Sequence, residues 1–206
     1  MSGTKWCFES TYVRLPRENV DTDQIIPARF LTTTNRAGLG PHAFNDWRYL
    51  ADGAPNPDFV LNREESRGAE ILVAGNNFGC GSSREHAVWA LSSAGFRAIV
   101  SSEFADIFRG NALGNGLLPI EVSAPVLAAL LRSDAPDARL GIDLETQALT
   151  LPDGTRVHFP VPAFSRYCML NDTNEMSFLL DAGSDIGSYE RAHAATINTL
   201  SLHTSA

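Results

Sequence analysis

Residues 75–91, GNNFGCGSSREHAVWAL, join a strand to a helix through a loop that holds three glycines, and this junction restricts the fold more than any other stretch of the chain. Ahead of it, residues 70–74 (EILVA) form an apolar run of strand length. Behind it, Ala87, Val88, Leu91 and Ala94 recur at helical spacing. The same rhythm continues downstream. Residues 96–101 (FRAIVS) read as a second buried strand, and Ser102 and Glu103 open a helix with Phe104, Ile107 and Phe108 expected on one face. That helix stops near Gly114 and Gly116, and residues 117–122 (LLPIEV) read as a third strand. Strand–helix–strand–helix–strand in this order predicts parallel pairing with right-handed crossovers.

The remaining segments fit around this unit. Residues 7–15 (CFESTYVRL) alternate apolar and polar side chains, as an opening strand does, and Pro16 ends them. Residues 32–57 are polar and long for a connection, which marks a lid or binding loop, with Phe44 and Trp47 as its anchors. Ser123 and Pro125 start a further helix with Val126, Leu127, Leu130 and Leu131 as its core side. From Leu140 the period changes to short strands at 141–144 and 148–151, with Asp153 and Gly154 turning into 156–159. A helix over 163–170, an apolar run over 175–180 and a surface helix over 186–195 complete the chain. The expected fold is α/β with a β-hairpin addition in the C-terminal third. Residues 1–195 are expected to form one domain and residues 196–206 a frayed tail.

Charge and composition exclude several classes. The formal charge is -8 and Lys and Arg occur singly, so a nucleic-acid role is disfavoured. No apolar stretch reaches membrane-spanning length, and residues 1–10 carry no signal-peptide pattern, which makes the cytoplasm the expected location. Cys7, Cys80 and Cys168 are far apart and form no C-x-x-C, so no zinc or iron–sulfur site is expected on this chain. Free thiols in a reducing compartment are the simpler account, and Cys80, with no base beside it, is read as structural. Asp21 and Asp23, two carboxylates within three residues, lack the further oxygen ligands of a metal site and read as an Asx-type turn.

The glycine loop itself admits several chemistries. It lacks the Gly-Lys-Ser/Thr of a nucleotide loop, and its glycines at 75, 79 and 81 do not make G-x-G-x-x-G. It is no hydrolase elbow either, since neither Ser82 nor Ser83 is followed by the required glycine. Two accounts stay level. In one, Ser82, Ser83, Arg84 and Glu85 form a helix capping box. In the other, Arg84 offers a bidentate fork to a carboxylate, and a serine near the helix N-terminus has its alkoxide stabilised for proton abstraction from carbon.

Residues 77–87 (NFGCGSSREHA) resemble the signature of the aconitase-type swivelling domain, a β/β/α fold. Residues 19–31 (NVDTDQIIPARFL) are similar to the first motif of that family, and residues 104–108 with Asn111 and residues 116–119 to its third. Residues 44–48 (FNDWR) and 56–62 (NPDFVLN) resemble the small subunits of bacterial 3-isopropylmalate dehydratases. The resemblance implies a hydro-lyase of leucine biosynthesis, active only with a large subunit that carries a [4Fe–4S] cluster, this chain binding no cofactor itself. It implies a small dicarboxylate substrate, 2-isopropylmalate, isomerised to 3-isopropylmalate through 2-isopropylmaleate. By position it makes Ser82 the base, Ser83 and Arg84 binders of a substrate carboxylate, and Asp23 the group that orients an arginine or the serine. Capping and catalysis ask for similar geometry, so both serines stay open to either role. His86 is expected to be structural. Thr32, Thr33, Thr34, Asn35 and Arg36 fall where the family reads the substrate's variable group, and threonines replace the more basic, partly apolar stretch usual there. A related dehydratase for methylmalate, dimethylmalate or homoaconitate is therefore an alternative, as is a non-catalytic anion-binding module.

Overall fold

The computed structural model describes residues 5–32, 36, 38–133, 135 and 137–193. These fall into two units divided between Asn171 and Asp172. The expected single domain of 1–195 takes in both, and the expected frayed tail at 196–206 lies outside the described residues.

The first unit is built on a seven-stranded sheet. Its strands are β1 (Cys7–Leu15), β2 (Ile71–Ala74), β3 (Ala98–Ser101), β4 (Leu118–Glu121), β5 (Arg139–Asp143), β6 (Ala148–Thr150) and β7 (Arg156–His158), in the order β4-β3-β2-β1-β5-β6-β7. The first four pair in parallel and the last three antiparallel. Both halves meet on β1, which is long enough to serve two partners. Cys7 to Thr11 pair with β5, and Tyr12 to Leu15 pair with β2. The C-terminal strands continue the same sheet, and β6 and β7 form the β-hairpin expected in the C-terminal third.

β2 and β3 are buried along their whole length, as parallel strands covered on both faces must be. Their side chains alternate between two cores. Leu72, Ala74 and Ile99 join Val13, Phe44, Phe78 and Leu91 on one face, whereas Ile71, Val73 and Val100 join Trp6, Leu127, Ile142 and Phe159 on the other. Two single turns, α1 (Thr22–Ile25) and α2 (Asn45–Arg48), lie in the long connection between β1 and β2. Phe44, fully buried and left-handed at φ 55°, precedes α2 and stacks on Trp47 at 5.7 Å, so both expected anchors of this segment are in place. The crossover helices are α3 (Glu85–Ser93) and α4 (Asp106–Gly114), followed by α5 (Ala124–Arg132) and α6 (Ala163–Leu170). Phe104 and Phe108 are buried, but Ile107 is 58% exposed. The expected common face fails because α4 begins at Asp106, and Phe104 is fixed ahead of it by a bridge to Phe78.

The second unit holds α7 (Glu175–Asp181) and α8 (Gly183–Ala192). Asn174 caps α7 by accepting from the Ser177 N–H at 2.9 Å. The apolar run expected at 175–180 is this helix, which leaves Met176 and Leu180 exposed. Among the described residues no helix is long and apolar enough to cross a membrane.

Asp143 closes the β5–β6 turn by accepting from the Thr146 N–H at 3.0 Å. Hydrogen bonding from Thr146 holds its carboxyl below the ordinary carboxylate value. A lowered folded-state value adds stability that is complete above the ordinary pKa and is lost as pH falls through the lowered one. Asp143→Ala is expected to cost about 1 kcal/mol at neutral pH. In thermal melts run from pH 7 into the acid range, the gap between variant and wild type closes below about pH 4.

Candidate active site

The site stands at the C-terminal ends of β1 and β2, where two loops are laced together backbone to backbone. The Gly75 N–H donates to the Leu15 carbonyl at 3.1 Å, and a Cβ on Gly75 would lie 2.4 Å from the Arg17 carbonyl oxygen. Only a residue without a side chain lets the loops come this close. The lacing continues with the Asn19 N–H donating to the Asn76 carbonyl (2.9 Å) and the Gly79 N–H to the Val20 carbonyl (2.8 Å). The Thr22 N–H then donates to the Cys80 carbonyl at 3.0 Å. Gly79, at φ +77°, turns the loop against the ring of Phe108. The buried Thr22 hydroxyl donates to the Ser82 carbonyl at 2.7 Å and sets the height of the two serines over α1.

Asp21 and Gln24 form a reciprocal capping box on α1, with the Gln24 N–H donating to Asp21 Oδ1 at 2.8 Å and the Asp21 N–H to Gln24 Oε1 at 3.0 Å. The local turn expected of the two aspartates is therefore made by Asp21. Asp23 instead faces the other loop and accepts from the Arg84 guanidinium in an ion pair. The Arg84 side chain is only 18% exposed, against 53% for Asp23. A guanidinium has five N–H donors, so one held by Asp23 leaves others for a second carboxylate.

The capping box expected over Ser82 to Glu85 does not form. Arg84 is the N-cap of α3, extended at φ -146° and ψ 110°, with no side-chain cap. Glu85 is thereby the first helical residue, too early to reach back, and its carboxylate accepts from Asn115 Nδ2 at 3.2 Å. Ser82 and Ser83 are exposed, and their hydroxyls make no hydrogen bond among the described residues. The loop therefore presents two uncommitted hydroxyls, the nine-residue α3 N-terminus and an anchored arginine around one space. That space is a cavity of about 240 Å³ lined by Thr22, Ser82, Ser83, Arg84, Asp106 and Ile107. Helix N–H groups and a guanidinium on one side favour an anion there.

The neighbouring groups have other work. Burial, followed by the charge of Asp21, pushes the Cys80 thiol up, so it stays protonated and unreactive. His86 packs on Trp89 with ring centroids 4.6 Å apart, as a structural residue would. Arg36 lies over the same indole at 5.2 Å, held by a cation–π contact. Of the expected specificity loop, Thr32 and Arg36 are described, whereas Thr33, Thr34 and Asn35 lie outside the described residues. Thr22 and Ile107 were missed by sequence reasoning as lining residues. Thr22 had a usable signal, a hydroxyl between two aspartates of a motif that faces the glycine loop, while Ile107 was masked by its place in an apolar pattern.

Residues 8–125 match the family model described as the Aconitase C-terminal domain. A 3-isopropylmalate dehydratase small subunit from Anaeromyxobacter sp. (strain K) is 59% identical over 182 residues, covering 88% of this chain and 94% of that one. This chain belongs to the family of 3-isopropylmalate dehydratase small subunits. A second member, from Solibacter usitatus, is 55% identical over 193 residues, covering 94% of this chain and 96% of its own length. The fold agrees as well. The crystal structure of 3-isopropylmalate dehydratase (leuD) from Methanocaldococcus jannaschii superposes with a TM-score of 0.65 at 26% identity, over 89% of this chain and 99% of that one. The resemblance read from residues 77–87 and 19–31 is thereby borne out at the level of family and fold.

Proposed function

We propose that this chain is the small subunit of a hydro-lyase that interconverts 2-isopropylmalate and 3-isopropylmalate through 2-isopropylmaleate, a reaction of leucine biosynthesis, and that it works with a separate large subunit. The observation that carries the reading is the lacing of the glycine loop onto α1, which brings Ser82, Ser83 and an Arg84 paired with Asp23 to one cavity in a member of this family.

In this reading Arg84, braced by Asp23, takes a substrate carboxylate in its free N–H donors, and the Ser83 hydroxyl donates to the same group. Ser82 is the base. As an alkoxide stabilised by Arg84 and the α3 N-terminus it takes the proton from the carbon beside that carboxylate, and in the hydration step it returns the proton to carbon. The C–H electron pair becomes the new C=C bond as the hydroxyl departs from the neighbouring carbon. Lewis-acid activation of that hydroxyl is the chemistry of the [4Fe–4S] cluster carried by the large subunit. This chain's described residues do not fit such a cluster: Cys7, Cys80 and Cys168 are not grouped, and no three His, Cys, Asp or Glu side chains converge among them. Its share of the reaction is the proton at carbon and the carboxylate.

The test is reconstitution with the large subunit under anaerobic conditions, following the absorbance of the unsaturated acid. The pair is expected to turn over 3-isopropylmalate and the isolated chain to be inert. Turnover of methylmalate, dimethylmalate or homoaconitate in place of 3-isopropylmalate would sink the leucine assignment, and iron-dependent turnover by this chain alone would sink the two-subunit reading.

A further inference from the structure

Ile107 is an unusual neighbour for an anion loop. It is a large aliphatic side chain, 58% exposed, yet it lines the same cavity as Ser82, Ser83 and Arg84. Its position is rigid relative to those groups. The Phe78 N–H donates to the Glu103 carbonyl at 3.0 Å, and the Ala105 N–H to the Phe78 carbonyl at 3.1 Å, so the glycine loop and the first turn of α4 move as one piece. Behind that turn Phe108 packs edge-on against Phe78, with centroids 5.3 Å apart. The structure therefore holds an apolar wall at a fixed offset from the serines and the arginine. Asp106, beside Ile107 in sequence, lines the cavity too and has no ion-pair partner among the described residues. Arg36, the cation expected in the family's specificity loop, is meanwhile held over the Trp89 indole.

A substituted malate offers carboxylates and one variable group, and the two sides of this cavity differ in the same way. Resting on the hydro-lyase reading above, we infer that Ile107 is a specificity residue: it is the surface against which the substrate's alkyl substituent packs. Asp106 beside it disfavours substituents that bear a further carboxylate. Apolar contact selects for the alkyl group, and like charge selects against the acid.

The experiment uses the reconstituted two-subunit enzyme and the ratio of kcat/KM for 3-isopropylmalate to that for 3-methylmalate. Ile107→Ala is expected to lower this ratio about tenfold, the scale on which an apolar surface distinguishes one or two methyl groups. Ile107→Leu, which keeps an apolar side chain of equal size, is expected to hold the ratio within about threefold. Asp106→Asn is expected to tighten inhibition by a carboxymethyl-substituted malate about fivefold, the worth of one charge at close range near water. Titration of each variant into the large subunit supplies the independent readout. If Ile107→Ala leaves the ratio unchanged and instead raises the concentration needed for half-maximal activity, the residue belongs to the subunit contact and the inference is overturned. Unchanged inhibition with Asp106→Asn removes the acid from the account. If the wild-type pair turns over neither malate, the hydro-lyase reading itself has failed and the inference falls with it, an outcome distinct from an unchanged ratio.

Discussion

Ser82→Ala in the reconstituted enzyme is expected to lower kcat by about 10²–10⁴-fold, the usual span for removing a positioned general base. Three observations make the effect large. The Ser82 hydroxyl makes no hydrogen bond among the described residues, so it is not consumed by capping. Its backbone is fixed from below, because the Thr22 hydroxyl donates to the Ser82 carbonyl at 2.7 Å. Arg84 and the start of α3 add positive potential beside it, which lowers the cost of an alkoxide. Since an exposed Ser→Ala change removes one oxygen and no buried contact, the melting temperature and the large-subunit affinity are expected to stay put. KM is expected to move little, because carboxylate binding is assigned to Arg84 and Ser83. Ser83→Ala should show the opposite split, a raised KM with a smaller loss in kcat. If the two variants exchange behaviours, Ser83 is the base. If Ser82→Ala keeps a near-normal rate, Ser82 serves only to shape the loop.

Much of this arrangement was legible from local pattern, and the parts that were not share one physical cause. β2 and β3 announce themselves as short apolar runs because both of their faces are covered, and β1 is found to the residue because it alternates. The turn at Asp153 and Gly154 likewise leads from β6 into β7 as its sequence predicts. What failed was phase at helix starts. Ser82, Ser83, Arg84 and Glu85 match a capping box, yet the helix begins two residues later than that box requires. The donors from Gly79 and Thr22 pull the loop onto the β1–α1 segment, and these long-range bonds outweigh a local cap worth about 1 kcal/mol. The same shift at α4 turned Ile107 outward, because Phe104 was held by Phe78 before the helix began. The double use of β1 was hidden for a related reason: no local signal tells a nine-residue strand that its two halves have different partners. Asp23 and Arg84 were linked by family resemblance alone, since 61 residues separate them and nothing in either segment names the other.

The largest effect on stability is expected at Gly79, where the two loops and α4 meet. An added Cβ would sit 2.2 Å from Phe108 Cγ and 2.6 Å from its Cβ, inside any attainable contact distance. Phe108 cannot swing aside, because the clash is at the root of a ring that is 2% exposed and packed against both Phe78 and Phe104. Overpacking of this kind costs about 1–3 kcal/mol, and holding a non-glycine residue at φ +77° adds about 1–2 kcal/mol. Gly79→Ala is thus expected to lose about 2–5 kcal/mol, a large share of the roughly 5–15 kcal/mol available to a folded domain. At about 2–4 °C per kcal/mol the melting temperature falls by about 5–20 °C. Gly116→Ala separates the two contributions: Gly116 also has positive φ, at +74°, but nothing lies within 4 Å of its added Cβ. It should show the conformational cost alone, about 1–2 kcal/mol. Equal losses at the two sites would mean that Phe108 yields, and the α4 turn would then be too soft to hold Ile107 at a fixed distance from Ser82. A clearly larger loss at Gly79 ties the rigidity of that wall to the absence of one methyl group.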